Sequence, residues 1–310
     1  MSTAKVWPRG WSPARIPRRL KLAALLVALS AAALAAGCST ATRQPPGSPP
    51  SETASAPNDG MNGMGGMAGM PLASGNGLAD TANGYTLTLR TPPATNNPAS
   101  ATFTITHDGT TVTAFDPEQT KLMHFYLIRS DLSGFQHVHP GMSADGTWSA
   151  PITPVNPGAY RVYVQFVPHA DAAGGALILS TAVTVPGVNE SALAPLPAPN
   201  PSTTIDGYTV ALDGALAAGR EAPLRITITK NGQPVTNLQP YLDTYAHVTA
   251  IRQGDLAFAH LHPDGAVSGD HGGPTLTVHA QLPERGNYRM FIQFQIDGAL
   301  HTAAITVPTR

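Results

Sequence analysis

The chain has 310 residues, 12% of them charged, and a formal net charge of −1 at pH 7. That length accommodates two ordinary domains, and near-neutrality with no basic stripe beyond the N-terminus argues against nucleic acid as a partner. A single cysteine excludes an internal disulfide, a CxxC redox pair and a four-cysteine zinc site.

Arg9, Arg15, Arg18, Arg19 and Lys21 precede an apolar, alanine-rich run from Leu22 to Ala36, which closes in Ala35-Ala36-Gly37-Cys38. A basic head, an apolar stretch and small residues before the cut form the pattern of an export signal, and the closing residues resemble a bacterial lipobox. The resemblance implies loss of residues 1–37, a lipid on the sulfur of Cys38 and an acyl chain such as palmitate on its new amino group. The mature protein is then a lipoprotein attached to the membrane, facing the extracytoplasmic side of the cell envelope. Several acyl chains, at about 0.8 kcal/mol per buried methylene, hold far more firmly than one. An uncleaved membrane anchor is the competing reading, but the run is shorter than the roughly 20 residues a span requires.

Residues 38–82 are Pro, Ser, Thr, Gly, Asn and Met with few large apolar side chains. Such a segment buries too little surface to offset its ordering entropy, so a disordered tether is expected. Met61, Met64, Met67 and Met70 recur every third residue there, with no core for them to fill. Thioether sulfur is a soft ligand that selects Cu(I); drift in a low-complexity spacer is the alternative.

Two repeats follow, at 83–187 and 205–310, separated by a proline-rich linker at 188–204. Gly84-Tyr85-Thr86 recurs as Gly207-Tyr208-Thr209, Thr104-Ile105-Thr106 as Thr227-Ile228-Thr229, and Phe135-Gln136-His137-Val138-His139-Pro140 as Phe258-Ala259-His260-Leu261-His262-Pro263. Within each repeat the polar–apolar alternation has period two. In the first it runs through Tyr85 to Leu89, Ala101 to Thr106, Leu122 to Ile128, Gln136 to His139, Thr147 to Ile152, Tyr160 to Phe166 and Leu177 to Val185, with turn residues such as Asp108-Gly109 between. No stretch has a helical period. Seven short strands with a Pro-Gly-x-Tyr-x-Val corner before a late strand predict an all-β chain of two tandem immunoglobulin-like sandwiches.

The histidines sit at matching places. Met123, Phe125 and Leu127 align with Ala246, Val248 and Ala250 as a core face, so His124 and His247 fall on the opposite, outer face. In the next strand Val138 and Leu261 take the core, which leaves His137 with His139, and His260 with His262, outside. If the two strands pair as a hairpin, the three histidines of each repeat converge, and imidazoles two residues apart on a strand are able to close on one ion. The expectation is one three-histidine metal site per repeat. Alternation places Gln165 and Arg161, with Gln293 and Arg289, on the same outer face, where these side chains are expected to hold the imidazoles in orientation. His271, in an insertion confined to the second repeat, is a further candidate ligand, whereas His107, His169, His279 and His301 have no counterparts and are expected on the surface. Solvated strand faces are the competing account of the triads.

Phe258-Ala259-His260-Leu261-His262-Pro263, with Ile251-Arg252-Gln253-Gly254-Asp255-Leu256-Ala257 before it, resembles a family of secreted two-repeat bacterial lipoproteins whose function is not established. More distantly, sandwich plus methionine run is similar to periplasmic copper-carrier and copper-resistance proteins. Together these imply copper sequestration or delivery, with zinc as the alternative ion and a copper exporter or other envelope protein as partner. No nucleophile elbow, zinc-protease helix or phosphate loop is present, so no enzyme activity is expected. The rival function is an adhesion or envelope-scaffold module.

Overall fold

The computed structural model describes residues 76–96, 99–187 and 193–310. The expected leader at residues 1–37, Cys38 and the methionines at 61, 64, 67 and 70 lie outside these residues. Among the described residues no helix is long and apolar enough to cross a membrane.

The chain is all-β, in two repeated sandwiches. In the first, Tyr85–Thr91, Ala99–His107, Trp148–Ile152 and Gly141–Met142 lie side by side in one sheet, and Leu177–Val185, Gly158–Pro168, His124–Arg129 and Gln136–Val138 in the other. That split of early, middle and late strands between two antiparallel sheets is the immunoglobulin arrangement. The expected Tyr160 corner is present: its hydroxyl donates back to the Asn156 carbonyl at 3.0 Å, and in the second repeat Tyr288 does the same to Glu284 at 3.1 Å. Asp108 and Gly109, with φ of 48° and 80°, close a tight hairpin in the left-handed region where Asp-Gly is favoured.

The second repeat differs at one strand. Phe258–Pro263 pairs with His247–Arg252 along its first residues and with Thr275–Gln281 through His262 and Pro263, so both sheets join into one continuous path.

Each sandwich has its own core. Met123, Phe125 and Leu127 pack with Phe103 and Trp148 in the first, and Ala246, Val248 and Ala250 with Tyr288 and Phe294 in the second, as alternation predicted. A third cluster was not predicted. Tyr126, Ile128 and Tyr163 of the first repeat meet Ile251, Phe258 and Phe291 of the second, all nearly inaccessible. The faces assigned to the exterior are therefore buried against each other. Strand alternation distinguishes two faces of a sheet but not whether water or a second sheet covers the outer one.

Candidate metal centre

The site stands on that interface. His124 opens its strand opposite Gln165, and Tyr126 on the same face pairs with His137 of the neighbouring strand. The pleat thus brings His124, His137 and His139 together as expected, each offering one ring nitrogen, with these atoms all within 4.8 Å of one another. His124 is 1% exposed and His137 9%, while His139 is half-buried. All three were expected on an outer face; the second repeat has closed over it.

For neutral rings, the hydrogen-bond partners assign the protons. His124 Nε2 lies 3.0 Å from the carbonyl oxygen of Glu118, which only accepts, so His124 holds its proton there and its Nδ1 is a lone pair. His137 Nδ1 lies 2.6 Å from Oε1 of Gln293, so its proton is on Nδ1 and its Nε2 is a lone pair. Those two lone pairs face each other at 3.1 Å. With no proton between them they repel, and a cation coordinated by both relieves that; nitrogens each about 2 Å from a tetrahedral ion are separated by a little over 3 Å. His139 Nε2 is buried and has no hydrogen-bond partner among the described residues.

Burial favours the neutral, ligating form of His124 and His139. Desolvation lowers the His124 pKa to about 4, against the Glu118 carbonyl and assisted by the charge of Lys121. Desolvation, with repulsion from His124 and Lys121, takes His139 down to about 3. Glu118, absent from the sequence prediction, is 4% exposed; desolvation raises its carboxyl to about 7, although Gln165 Nε2 donates to it at 2.9 Å. Nothing in the sequence marks this loop carboxylate, whose counterpart in the other repeat is Tyr241.

The second repeat contributes to the same place. His247, 1% exposed, lies 3.3 Å through Nε2 from the Tyr126 hydroxyl, and its ring stacks 4.9 Å from His137 and 6.0 Å from His124. Instead of lying in a separate outer site, His247 abuts the first triad. His260 sits opposite Thr249 and His262 opposite His279 in the backbone register; their side chains are outside the described residues. Gln165 and Gln293 both reach the centre, but Gln293 crosses to His137 of the first repeat. Arg161 instead donates to Ser180 Oγ at 2.7 Å and Arg289 to Thr306 Oγ1 at 2.9 Å, away from the imidazoles.

The remaining histidines take separate places. His271 is exposed and joins no ligand cluster among the described residues. His107 and His279 are partly exposed, and His169 pairs with Asp116 at 2.7 Å on the surface. His301 departs from expectation: its side chain is 12% exposed, lies against Tyr208 and Phe294, and pairs with Asp206 at 2.8 Å.

The family described as Domain of unknown function (DUF8832) matches residues 80–182 and 203–310, one copy per repeat. No curated protein matches the chain. Among solved structures it is similar to a biofilm-associated protein BSP domain at 11% identity, covering 73% of this chain and 30% of that one with a TM-score of 0.21. An Escherichia coli alpha-2-macroglobulin activated by porcine elastase aligns at 15% identity over 74% of this chain and 22% of its own, TM-score 0.22. A putative membrane-anchored protein from Corynebacterium diphtheriae aligns at 14% identity over 74% and 57%, TM-score 0.20. The chain thus spans under a third of the length of the first two.

Proposed function

This chain belongs to the DUF8832 family, with two copies of the domain, and we propose that it is an envelope lipoprotein that binds a borderline metal ion, copper above all, for sequestration or delivery. One observation carries the reading: one ring nitrogen from each of His124, His137 and His139 lies within 4.8 Å of the others, with His124 Nδ1 3.1 Å from His137 Nε2, a group able to hold a metal ion. Imidazole suits Cu(II) and Zn(II) alike. The methionines at 61, 64, 67 and 70 favour copper, since soft thioether sulfur is suited to capturing or handing over Cu(I). Cys38, within its lipobox-like setting, would fix the protein to the membrane so that the ion is held at the envelope. Of the second set of histidines expected from the sequence, His247, His260 and His262, the proposal takes His247 into the neighbourhood of the first triad and keeps His260 and His262 as candidate ligands.

Titration of the purified mature chain with Cu(II), and with Cu(I) under reductant, tests it against a chelator of known affinity. At least one equivalent should bind, and His137→Ala with His139→Ala should abolish one. Binding that is equally tight in that double variant would refute the assignment, and no binding by the unaltered chain would refute the function and favour a scaffold role.

A further inference from the structure

Gln293 lies in the second repeat, 3% exposed, in backbone register with His247, yet its amide oxygen is 2.6 Å from the Nδ1 of His137 in the first. Its amide nitrogen is turned toward Thr302 Oγ1, 3.5 Å away, which leaves the oxygen directed at the imidazole.

A neutral imidazole carries its single proton on either nitrogen, and the partner of one decides the state of the other. With Gln293 accepting from Nδ1, the Nε2 of His137 is a lone pair. Without that acceptor the proton moves to Nε2, which then donates to His124 Nδ1 across the same 3.1 Å. Two metal-binding lone pairs become one ordinary histidine–histidine hydrogen bond. The amide therefore chooses between a ligand pair and a closed pair.

Further contacts hold this amide in place. Tyr126 stacks on His137 with centroids 4.2 Å apart, its hydroxyl meets His247, and Phe135 stacks on Phe291 at 4.0 Å, two residues before Gln293. We infer that the metal centre belongs to the pair of repeats: Gln293 is a positioning residue supplied by the second repeat that fixes the tautomer of His137 in the first. The inference rests on the metal-binding reading above and adds that neither repeat binds the ion properly alone. By linkage, the ion also strengthens the docking of the repeats.

The full mature chain is compared with Gln293→Leu, Gln293→Glu and Thr302→Val by chelator competition with Cu(II) and Zn(II), and by the Cu(II) electron paramagnetic resonance spectrum. Leu removes the acceptor and should weaken binding about 10- to 100-fold, the usual effect of losing such a partner, with a spectrum showing fewer coordinated nitrogens. Glu keeps an acceptor on Nδ1 and should bind at least as tightly as the unaltered chain. Thr302→Val, which frees the amide to turn, should show a smaller loss in the same direction. A purely structural role orders the variants the other way, because a buried carboxylate disturbs packing more than leucine does. Wild-type affinity and spectrum in the Leu variant, or weaker binding by Glu than by Leu, would overturn the inference while leaving the metal site standing. Failure of the unaltered chain to bind either ion would overturn both.

Discussion

Truncating Phe258 to alanine separates the stability of the interface from that of the two cores. The ring is 4% exposed and lies 5.0 Å from Tyr126 and 5.3 Å from Tyr163, both in the other repeat. Loss of a packed phenylalanine costs about 3–5 kcal/mol, because the cavity does not fully collapse. In a unit of 150–250 residues, 1 kcal/mol moves the melting temperature by about 2–4 °C, so the whole would fall by roughly 6–20 °C if both repeats unfold together. The missing contacts belong to neither sandwich's own core, however, so the greater effect should be loss of coupling. Differential scanning calorimetry should show one transition in the unaltered chain and two in Phe258→Ala, with saturating Cu(II) drawing the two back together. Metal affinity should fall too, since the reach of Gln293 to His137 depends on docking. A single transition lowered by less than about 3 °C would refute the claim that this cluster holds the repeats to each other.

Tyr163→Phe removes the hydroxyl that donates at 2.5 Å to the Leu256 carbonyl across the same interface; leaving that buried carbonyl unmet should cost about 1–3 kcal/mol in urea unfolding, and an unchanged midpoint would deny the bond any weight. Glu118→Gln tests the buried carboxyl through pH, monitored by urea unfolding of the metal-free chain. The Glu118 pKa is raised to about 7 from an ordinary 4.5, so its contribution is fully present below 4.5 and lost as pH rises through 7; His124, lowered to about 4, acts oppositely and destabilises as pH falls from 6.5. The glutamine variant should therefore be the more stable protein relative to wild type at pH 8 than at pH 4.5, and should lose stability more steeply on acidification between pH 6.5 and 4.5; parallel pH profiles would contradict the assignment.

Period-two alternation was enough to locate the strands and to separate Met123, Phe125 and Leu127 from His124, because a pleat sends neighbours to opposite faces whatever the tertiary context. It did not show that the outer face is covered. A hint was present in His124–Arg129, where Phe125, Leu127 and Ile128 with Tyr126 make an almost unbroken apolar run, and every residue of that strand proves buried. Such runs accompany strands covered on both faces. Glu118 was illegible for another reason: it lies in a loop, and a loop's approach to a distant ring follows no period. The partner of Gln293 was equally hidden, since its face follows from alternation whereas contact with His137 depends on how two domains dock.

Duplication explains why docking creates the site at all. Phe135 and Phe258 are equivalent positions, as are Tyr163 and Phe291, and the structure packs Phe258 on Tyr163 and Phe135 on Phe291. Each repeat thus presents the same face to the other, the self-complementary geometry of a two-fold dimer, here within one chain. A histidine on that face is brought toward the axis by both copies, which is how His124, His137 and His247 come to share one region. Covalent linkage then relaxes the symmetry: Tyr126 in the first copy is Thr249 in the second, and Glu118 is Tyr241. Gln293 reaches His137 while its equivalent, Gln165, donates to Glu118, so the two halves of the interface are no longer equivalent. Restoring the symmetry by Glu118→Tyr should therefore release Gln165 from its carboxylate partner and leave Gln293 on His137. If that substitution abolishes metal binding as completely as loss of His137 and His139, the carboxylate rather than the crossing amide organises the centre.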